Sequence, residues 1–174
     1  YIPGRVQTSA YLAAATGIAA PVIEDKFGIQ EKPWASHGEQ VSAMAVKAAC
    51  RALAGRDPRT IDVILWTGSE HKDFALWTAA IKVQHEIGAS RAWAVDVGAR
   101  CATTQACIKF ARDMIAADPD IHTVLLAGGH RMIDKLDYRN QRSRFLFGMS
   151  DAASAVLIER DAAGNEILAT SILT

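Results

Sequence analysis

Short apolar runs alternate with longer, mixed segments along the chain. Runs at 61–66, 92–97 and 121–127 are rich in β-forming residues, and two further runs follow at 152–159 and 166–173. Continuous apolar runs of this length are typical of buried strands. The last two flank a turn at 161–165, and we therefore expect them to form an antiparallel hairpin.

The segments between these runs have helical character. Ser36 and Glu39 have the spacing of a capping box, in which Ser36 caps a helix and Glu39 bonds back to it. This helix should continue to about Leu53 and stop at Gly55, and further helices are predicted at 74–87 and 101–117. Residues 1–35 contain several prolines and glycines, and we expect them to be irregular apart from a short helix at 8–15.

The alternation of strands and helices predicts an α/β fold. Its sheet should be mixed and mostly parallel, with helices on both faces, and should end in the antiparallel hairpin. A length of 174 residues allows one complete domain or half of a larger two-part fold. The chain opens at Tyr1 within strand-like sequence and stops at the end of another predicted strand, which favours the second interpretation.

Charge and cysteine content argue against several classes of function. The chain has 19 Lys and Arg residues against 19 Asp and Glu, whereas nucleic-acid binders normally have a basic excess. No run approaches the roughly 20 apolar residues of a membrane span. The three cysteines lack CxxC spacing and lie apart from the five histidines, which indicates free thiols in a reducing, cytoplasmic compartment and no structural zinc site.

Cys101 is the first candidate for chemistry. It follows a predicted buried strand and a tight turn, and it begins a predicted helix. The helix dipole and free backbone N–H groups at such a position stabilise a thiolate and a developing oxyanion. The alternative is that Cys101 is a small packing residue, as most lone cysteines are. Cys107 should point away from Cys101 on the same helix, and it and Cys50 are predicted core residues.

Glu70 is the second candidate. It lies in the turn after the predicted strand 61–66, one strand–helix unit before Cys101. Functional groups of α/β folds gather at the carboxyl ends of strands, so the two side chains should converge on one site, with Glu70 as general acid or base. The alternative is an ordinary solvated carboxylate on a loop.

Two further features follow the predicted strand 121–127. Gly128-Gly129-His130 lacks the spacing of a dinucleotide-binding loop, so we interpret His130 as a structural or interface residue. The basic loop at 130–147 either binds a phosphate-bearing substrate or an acidic carrier protein, or it is a solvated loop partly neutralised by its own aspartates. Arg142 and Arg144 are its candidate substrate-binding residues.

The segment Val95-Asp96-Val97-Gly98-Ala99-Arg100-Cys101-Ala102 resembles the nucleophile segment of the thiolase-like condensing enzymes. The most similar branch is 3-oxoacyl-acyl-carrier-protein synthase III. Weaker similarities keep the same order along the chain, at 1–3, 27–29, 121–129 and 147–157. The resemblance therefore covers nearly all of the sequence.

This resemblance implies a specific chemistry. Cys101 would accept an acyl group from acyl-CoA as a thioester. A carbanion, commonly made by decarboxylating a malonyl thioester, would then attack that acyl enzyme and form a carbon–carbon bond. Acyl carrier protein is the implied second thioester carrier, the enzyme would be a homodimer, and no metal or permanently bound cofactor is implied.

The resemblance also implies binding residues. Phe74 resembles the pocket phenylalanine that reaches into the partner subunit's acyl site, and Trp77 would shape that pocket. Lys26 stands where the family has an arginine beside the CoA adenine. Because an ammonium is not a planar fork, Lys26 is the weaker substitute.

The sequence also departs from the family. The family's catalytic His and Asn lie in the second half of the fold. We therefore expect residues 1–174 to be the N-terminal half of the fold, without its C-terminal half. On its own, this half should be impaired in accepting an acyl group. Gly68-Ser69-Glu70 resembles the Gly-[Ser/Thr]-Glu of hydroxymethylglutaryl-CoA synthase, where the Glu is the general acid/base. The alternatives are therefore an enzyme of that kind and a non-catalytic scaffold subunit in which Cys101 only packs.

Overall fold

The computed structural model describes residues 1–70 and 72–172. The chain begins with a two-stranded ribbon and two short helices, and then alternates strands with longer helices. In chain order the elements are β1 (Arg5–Thr8), α1 (Ser9–Thr16), α2 (Ala20–Phe27), β2 (Glu31–Trp34), α3 (Val41–Leu53), β3 (Val63–Trp66), α4 (Ala79–Ile87), β4 (Trp93–Asp96), α5 (Thr103–Ala117), β5 (Thr123–His130) and β6 (Ala152–Glu159).

The main sheet has the strand order β4-β3-β5-β6. Strand β3 pairs in parallel with β4 and β5, and β6 pairs antiparallel with β5 along its whole length, from Thr123 opposite Glu159 to His130 opposite Ala152. The ribbon β1–β2 is a separate antiparallel pair. The expected fold class, a mixed and mostly parallel α/β sheet, is therefore confirmed.

Alternate residues of the buried strands face opposite sides of the sheet and build two hydrophobic cores. On one side Ile64 and Leu125 pack with α3 and α4, where alanines such as Ala45 and Ala80 allow close approach. On the other side Leu65 and Leu126 pack against α5. Because β3 and β5 are covered on both faces, their sequences are continuous apolar runs.

The antiparallel pair that closes the sheet differs from the predicted hairpin. Strand β6 spans the expected residues 152–159 but pairs backward with β5. The predicted partner strand over 166–173 is absent from residues 166–172, and Leu173 lies outside the described residues. Pairing with β5 places β6 beside a buried strand of the main sheet, and burial specifies strand pairing more strongly than the polar turn at 161–165 does.

The N-terminal region is more regular than expected. The short predicted helix is confirmed as α1, but α2 and the ribbon β1–β2 replace the predicted irregular chain. The ribbon was hidden because its strands are four residues each and β2 contains Pro33. Proline is tolerated there because β2 lies in a two-stranded ribbon with an open edge.

The start of α3 corrects a second expectation. Glu39 Oε2 accepts hydrogen bonds of 2.9 Å from both the backbone N–H and the hydroxyl of Ser36. The N–H of Glu39 donates to the carbonyl of Ser36 at 3.0 Å and not to its hydroxyl, so only the Glu39 half of the capping box forms. These contacts of Ser36 and Glu39 close a turn before the helix, which begins at Val41. The helix ends at Leu53 as expected, with Ala54 in the left-handed region before Gly55. Over the described residues, no helix is both long and apolar enough to cross a bilayer.

Candidate active site

A cleft of about 550 Å³ opens where β3 and β5 end and β6 begins. Both strands are parallel, so their carboxyl ends share one edge of the sheet, the usual position of sites in α/β folds. The turns that leave β3 and β4 also line the cleft. The described lining comprises Thr67, Gly68, Ser69, Glu70, Arg100, Cys101, Thr104, Gly128, Gly129, His130, Ala152, Ala153 and Ser154.

Cys101 lies in this cleft and is exposed to it. The strand–turn–helix position is as expected, but the helix starts later. Cys101 occupies a single 3₁₀ turn, Arg100–Ala102, and α5 begins at Thr103. The N–H groups of Ala102 and Thr103 donate to the carbonyls of Ala99 and Arg100 within this turn. These two donors are therefore engaged in the turn, which corrects the expectation of free N–H groups at this position.

A buried threonine fixes the turn that presents the thiol. The hydroxyl of Thr103 accepts from the N–H of Ala99 at 2.9 Å and donates to the carbonyl of Arg100 at 2.7 Å. Arg100 itself is in the left-handed region, with φ of 52°. Each of these constraints lies within two residues of Cys101, so the thiol is held on a rigid loop.

Glu70 lines the same cleft, as expected from its place after β3. Its Oε2 lies 2.8 Å from Nη1 of Arg100, so the carboxylate is ion-paired with the residue directly before the candidate nucleophile. The side chains are 49% and 82% exposed, so the pair stands in solvent at the mouth of the cleft. The structure thus brings Glu70 and Cys101 together across one ion pair.

Asp96, the last residue of β4, organises the loop between Glu70 and α4. Its two carboxylate oxygens accept from the N–H groups of Ala79 and Ala80 at 3.0 and 2.9 Å, which satisfies the first turn of α4. The ammonium of Lys72 also binds Asp96 and donates to the carbonyl of Trp77 at 3.1 Å. One carboxylate therefore fixes both the helix and the preceding loop.

This loop carries the two candidate pocket aromatics. Phe74 and Trp77 form an edge-to-face pair, with ring centroids 5.3 Å apart. Phe74 is 68% exposed, and Trp77 is half-buried against the α3–α4 core. Neither is part of the described cleft lining, and Phe74 projects into solvent.

Glycines at the floor of the cleft are required by close backbone contacts. A Cβ on Gly128 would overlap the backbone of Thr67 and Gly68, and one on Gly129 would overlap the carbonyl of Val41. The two glycines lie inside β5 rather than after it. Their role is therefore to let the strands and the helix approach each other closely.

His130, the last residue of β5, also lines the cleft. Desolvation lowers the pKa of its imidazole, and the nearby carboxylate of Asp151 opposes this shift. A structural or interface role was expected because Gly128-Gly129-His130 lacks the spacing of a dinucleotide-binding loop. The signal that was missed is the pair of glycines, because paired glycines occur where strands approach closely as well as in turns.

The remaining candidates lie elsewhere. Lys26 is exposed on α2, and Arg142 and Arg144 are exposed on a 3₁₀ segment, Gln141–Leu146; none is in the described cleft lining. Cys107 is buried, as expected, and desolvation raises the pKa of its thiol to about 11. Cys50 is exposed, contrary to the core position expected for it, because it faces outward on α3.

Comparison with known proteins points to one family. A family model described as 3-oxoacyl-[acyl-carrier-protein (ACP)] synthase III matches residues 95–174. The chain is 32% identical over 161 residues to a beta-ketoacyl-[acyl-carrier-protein] synthase III from Ruegeria sp., covering 91% of this chain and 49% of that protein. The chain thus spans about half the length of the curated relatives it matches.

Solved structures give the same result. The crystal structure of 3-oxoacyl-[acyl-carrier-protein] synthase III from Aquifex aeolicus superposes with a TM-score of 0.83 at 25% identity, covering 92% of this chain and 51% of that one. A priming beta-ketosynthase from a polyketide biosynthetic pathway also gives 0.83, at 26% identity and with 94% and 49% coverage. These similarities confirm the expected thiolase-like fold.

Proposed function

We propose that this chain belongs to the thiolase-like condensing enzymes and is part of an acyltransferase that forms a carbon–carbon bond by Claisen condensation. The observation that carries the proposal is the position of Cys101, an exposed thiol on a rigid turn inside a cleft of about 550 Å³. Packing cysteines are buried, as Cys107 is here. An accessible thiol in a concave site fits a nucleophile better.

The first step is transfer of an acyl group. The Cys101 thiolate attacks the thioester carbonyl of an acyl-CoA, and the carbonyl electrons move to oxygen. When they return, the carbon–sulfur bond to CoA breaks and CoA leaves as a thiolate. The products are an acyl-Cys101 thioester and CoA, and splitting the reaction in this way is the general advantage of a covalent nucleophile.

The second step is attack by a carbanion on the acyl-Cys101 thioester. In the related enzymes the carbanion commonly comes from a malonyl thioester, with carbon dioxide as the other product. The new carbon–carbon bond forms as the Cys101 thiolate leaves, so the nucleophile is regenerated. We propose acyl-CoA and acyl carrier protein as the carriers of the two substrates, with no permanently bound cofactor. The related proteins are named as acyl-carrier-protein synthases, which supports the second carrier.

We further propose that residues 1–174 supply the N-terminal half of the fold, the half with the nucleophile. The chain spans about half of its relatives, which supports this assignment. The family's His and Asn would then come from the other half, and the basic candidates Lys26, Arg142 and Arg144, with Phe74 and Trp77, would contact substrate only in the complete site. Three cysteines without a disulfide framework favour a reducing, cytoplasmic setting.

A second candidate function is favoured by a specific contact. Glu70 lies in the same cleft as Cys101 and is held by Arg100, so a carboxylate is available beside the nucleophile. In a hydroxymethylglutaryl-CoA synthase-like reaction, Glu70 would remove a proton from the second thioester and no carbon dioxide would form. A scaffold subunit without chemistry is the third candidate, and it requires no accessible thiol.

The deciding experiment is intact-protein mass spectrometry after incubation with acetyl-CoA, in the protein that carries both halves of the fold. We expect a single acetyl adduct that is lost in Cys101→Ala and retained in Cys50→Ala, the matched exposed cysteine. The isolated chain of residues 1–174 should acylate at least tenfold more slowly and give no condensation product. Absence of any adduct from both proteins would leave only the scaffold function.

The same assay separates the two enzymatic candidates. Under the decarboxylating mechanism, Glu70→Gln should change both acylation and condensation by less than about threefold, since no proton passes through this carboxylate. Under the second mechanism, Glu70→Gln should spare acylation and lower condensation by roughly 10²-fold or more, the usual contribution of a general acid or base. Release of carbon dioxide from a labelled malonyl thioester gives an independent measurement.

A further inference from the structure

Arg100 has no role in the chemistry described so far, yet it borders the nucleophile. It directly precedes Cys101 in the chain and lines the same cleft. Within the described lining it is the only lysine or arginine. A permanent positive charge beside a reacting carbonyl will attract any substrate that carries a negative charge close to that carbonyl.

The backbone at this position is strained for a residue with a side chain. Arg100 has φ of 52°, in the left-handed region, where a non-glycine residue costs roughly 1 kcal/mol. Glycine would adopt the same conformation without that cost. The strained turn carries a long cationic side chain into the cleft mouth, where it is 82% exposed.

The contact with Glu70 leaves this cation available to a competitor. The ion pair joins Nη1 of Arg100 to Oε2 of Glu70 at 2.8 Å, and both side chains are largely in solvent. Exposed pairs of this kind contribute little stability, so an anion entering the cleft can replace Glu70 at small cost. The planar guanidinium fork is suited to a carboxylate, which it can bind through two parallel hydrogen bonds.

Geometry limits which anion this can be. The substrate carbonyl must contact Sγ of Cys101 during transfer, so an anion at Arg100 must lie within a few bonds of that carbonyl. The phosphates of a pantetheine-type thioester are many bonds from the sulfur and do not meet this condition. A carboxylate on the acyl chain does.

The carboxylate should also be one that is retained. Loss of carbon dioxide converts a charged group to a neutral one, so a cation bound to that group stabilises the ground state more than the transition state. The same contact favours a donor whose carboxylate survives the reaction.

We propose that Arg100 is a specificity-determining residue for short dicarboxylic acyl thioesters. Its guanidinium exchanges the carboxylate of Glu70 for the free carboxylate of the substrate as the thioester carbonyl of that substrate reaches Cys101. The substrate part of this inference rests on the proposed function, because it requires Cys101 to accept an acyl group. The recognition part does not, and it can be measured on residues 1–174 directly.

The first experiment alkylates Cys101 with two reagents of equal size. Iodoacetate carries a carboxylate next to the reacting carbon and iodoacetamide a neutral amide; in both, the thiolate forms a sulfur–carbon bond and iodide leaves. The ratio of the two rates at Cys101, read by peptide mass spectrometry, should be about threefold higher than the same ratio at exposed Cys50, the value expected for one solvent-exposed ion pair. Taking the ratio cancels differences in thiolate content.

Substitutions assign the effect to the guanidinium. Arg100→Gly, which suits the backbone conformation, should lower the Cys101 ratio to the Cys50 value, and Arg100→Lys should retain part of the excess. Glu70→Gln should raise the ratio, because it removes the competing carboxylate. Arg112→Gln, at an exposed arginine on α5, should leave it unchanged. Equal ratios at Cys101 and Cys50 in the unaltered chain would overturn the proposal.

The second experiment uses succinyl-CoA and butyryl-CoA, acyl donors of matched length with and without a terminal carboxylate, and the protein with both halves of the fold. Succinyl transfer to Cys101 should be at least threefold faster than butyryl transfer. Arg100→Gly should bring the ratio of the two rates to about one, whereas Arg112→Gln should leave the ratio unchanged. Equal rates with both donors overturn the inference alone. No transfer from either donor, with acetyl-CoA also inactive, overturns the proposed function.

Discussion

At the scale of single residues, the strictest requirement is for glycine where β3 and β5 end. A Cβ at Gly128 would stand 2.5 Å from the Cα of Gly68 and 2.6 Å from the carbonyl carbon of Thr67, both backbone atoms. We expect Gly128→Ala to lower the free energy of unfolding by roughly 3 kcal/mol, because the backbone must move to admit the methyl group. Urea denaturation measures this change.

Gly38 is the matched control for that substitution. A Cβ there meets no atom within 4 Å, so Gly38→Ala should stay within about 0.5 kcal/mol of the unaltered chain. If Gly128→Ala unfolds at the same urea concentration as Gly38→Ala, then the ends of β3 and β5 lie farther apart than described here.

The residues of the site show what sequence can predict. Cys101 and Glu70 were predicted to share one cleft because both follow buried parallel strands, and strand ends meet at one edge. Arg100 and His130 were missed as cleft residues. Their inclusion depends on a left-handed turn and on a strand three residues longer than its apolar run, and neither leaves a local pattern.

At the scale of elements, the main strands and the C-terminal ends of the helices were predicted within a few residues, since burial on one or two faces repeats along the sequence. The helix predicted at 74–87 begins only at Ala79, and α3 begins at Val41 instead of directly after Ser36. The exceptions depend on distant contacts. The ribbon β1–β2 is anchored by Lys32, a buried residue of β2 whose ammonium donates at 2.7 Å to the carbonyls of Phe147 and Met149. Such partners, more than a hundred residues away, cannot be read from a four-residue strand.

Asp151 supplies a second distant tie to the same region. It is fully buried, and its carboxylate accepts from the N–H of Ala35 at 2.8 Å and also from the N–H groups of Met132 and Ile133. The segment that leaves β2, the segment that follows β5 and the start of β6 therefore meet at one carboxylate. This explains why the N-terminal region is ordered despite its prolines and glycines.

Lys32 also gives the ribbon a measurable pH dependence. Desolvation lowers its pKa to about 8, although the Asp151 carboxylate opposes the shift. Between about pH 8 and 9 the unfolded chain binds the proton more tightly than the folded one, so stability should rise with pH. From pH 7.5 to 9, the unaltered chain should gain about 1 kcal/mol relative to Lys32→Met in urea denaturation.

Comparison with Lys32→Met cancels the opposing titrations of other groups. Burial raises the pKa of Cys107 to about 11 and that of Tyr138 to about 12, and both groups lower stability at higher pH because the unfolded chain loses those protons first. Lys135→Met, at an exposed lysine, controls for loss of a positive charge and should show the same pH trend as the unaltered chain. A parallel trend for Lys32→Met would contradict the assignment.

At the scale of the whole molecule, the sheet has two edges, β4 and β6. Strand β4 is four residues long, and its outward side chains Trp93 and Val95 are 49% and 37% exposed. Leu76, on the loop before α4, is 99% exposed, and Phe74 on the same loop is 68% exposed. An apolar strand edge next to exposed apolar side chains is a template for pairing with another chain.

We propose that β4 and the Phe74 loop form the interface of a homodimer, the assembly that the family resemblance implies. Trp93→Lys places a charge on this edge and should raise the dissociation constant of the dimer at least tenfold. Analytical ultracentrifugation over a range of concentrations measures this constant. Leu168→Lys, at an apolar residue that is 80% exposed outside the sheet, should leave the dimer intact. A chain that sediments as a monomer at every concentration would contradict the proposal.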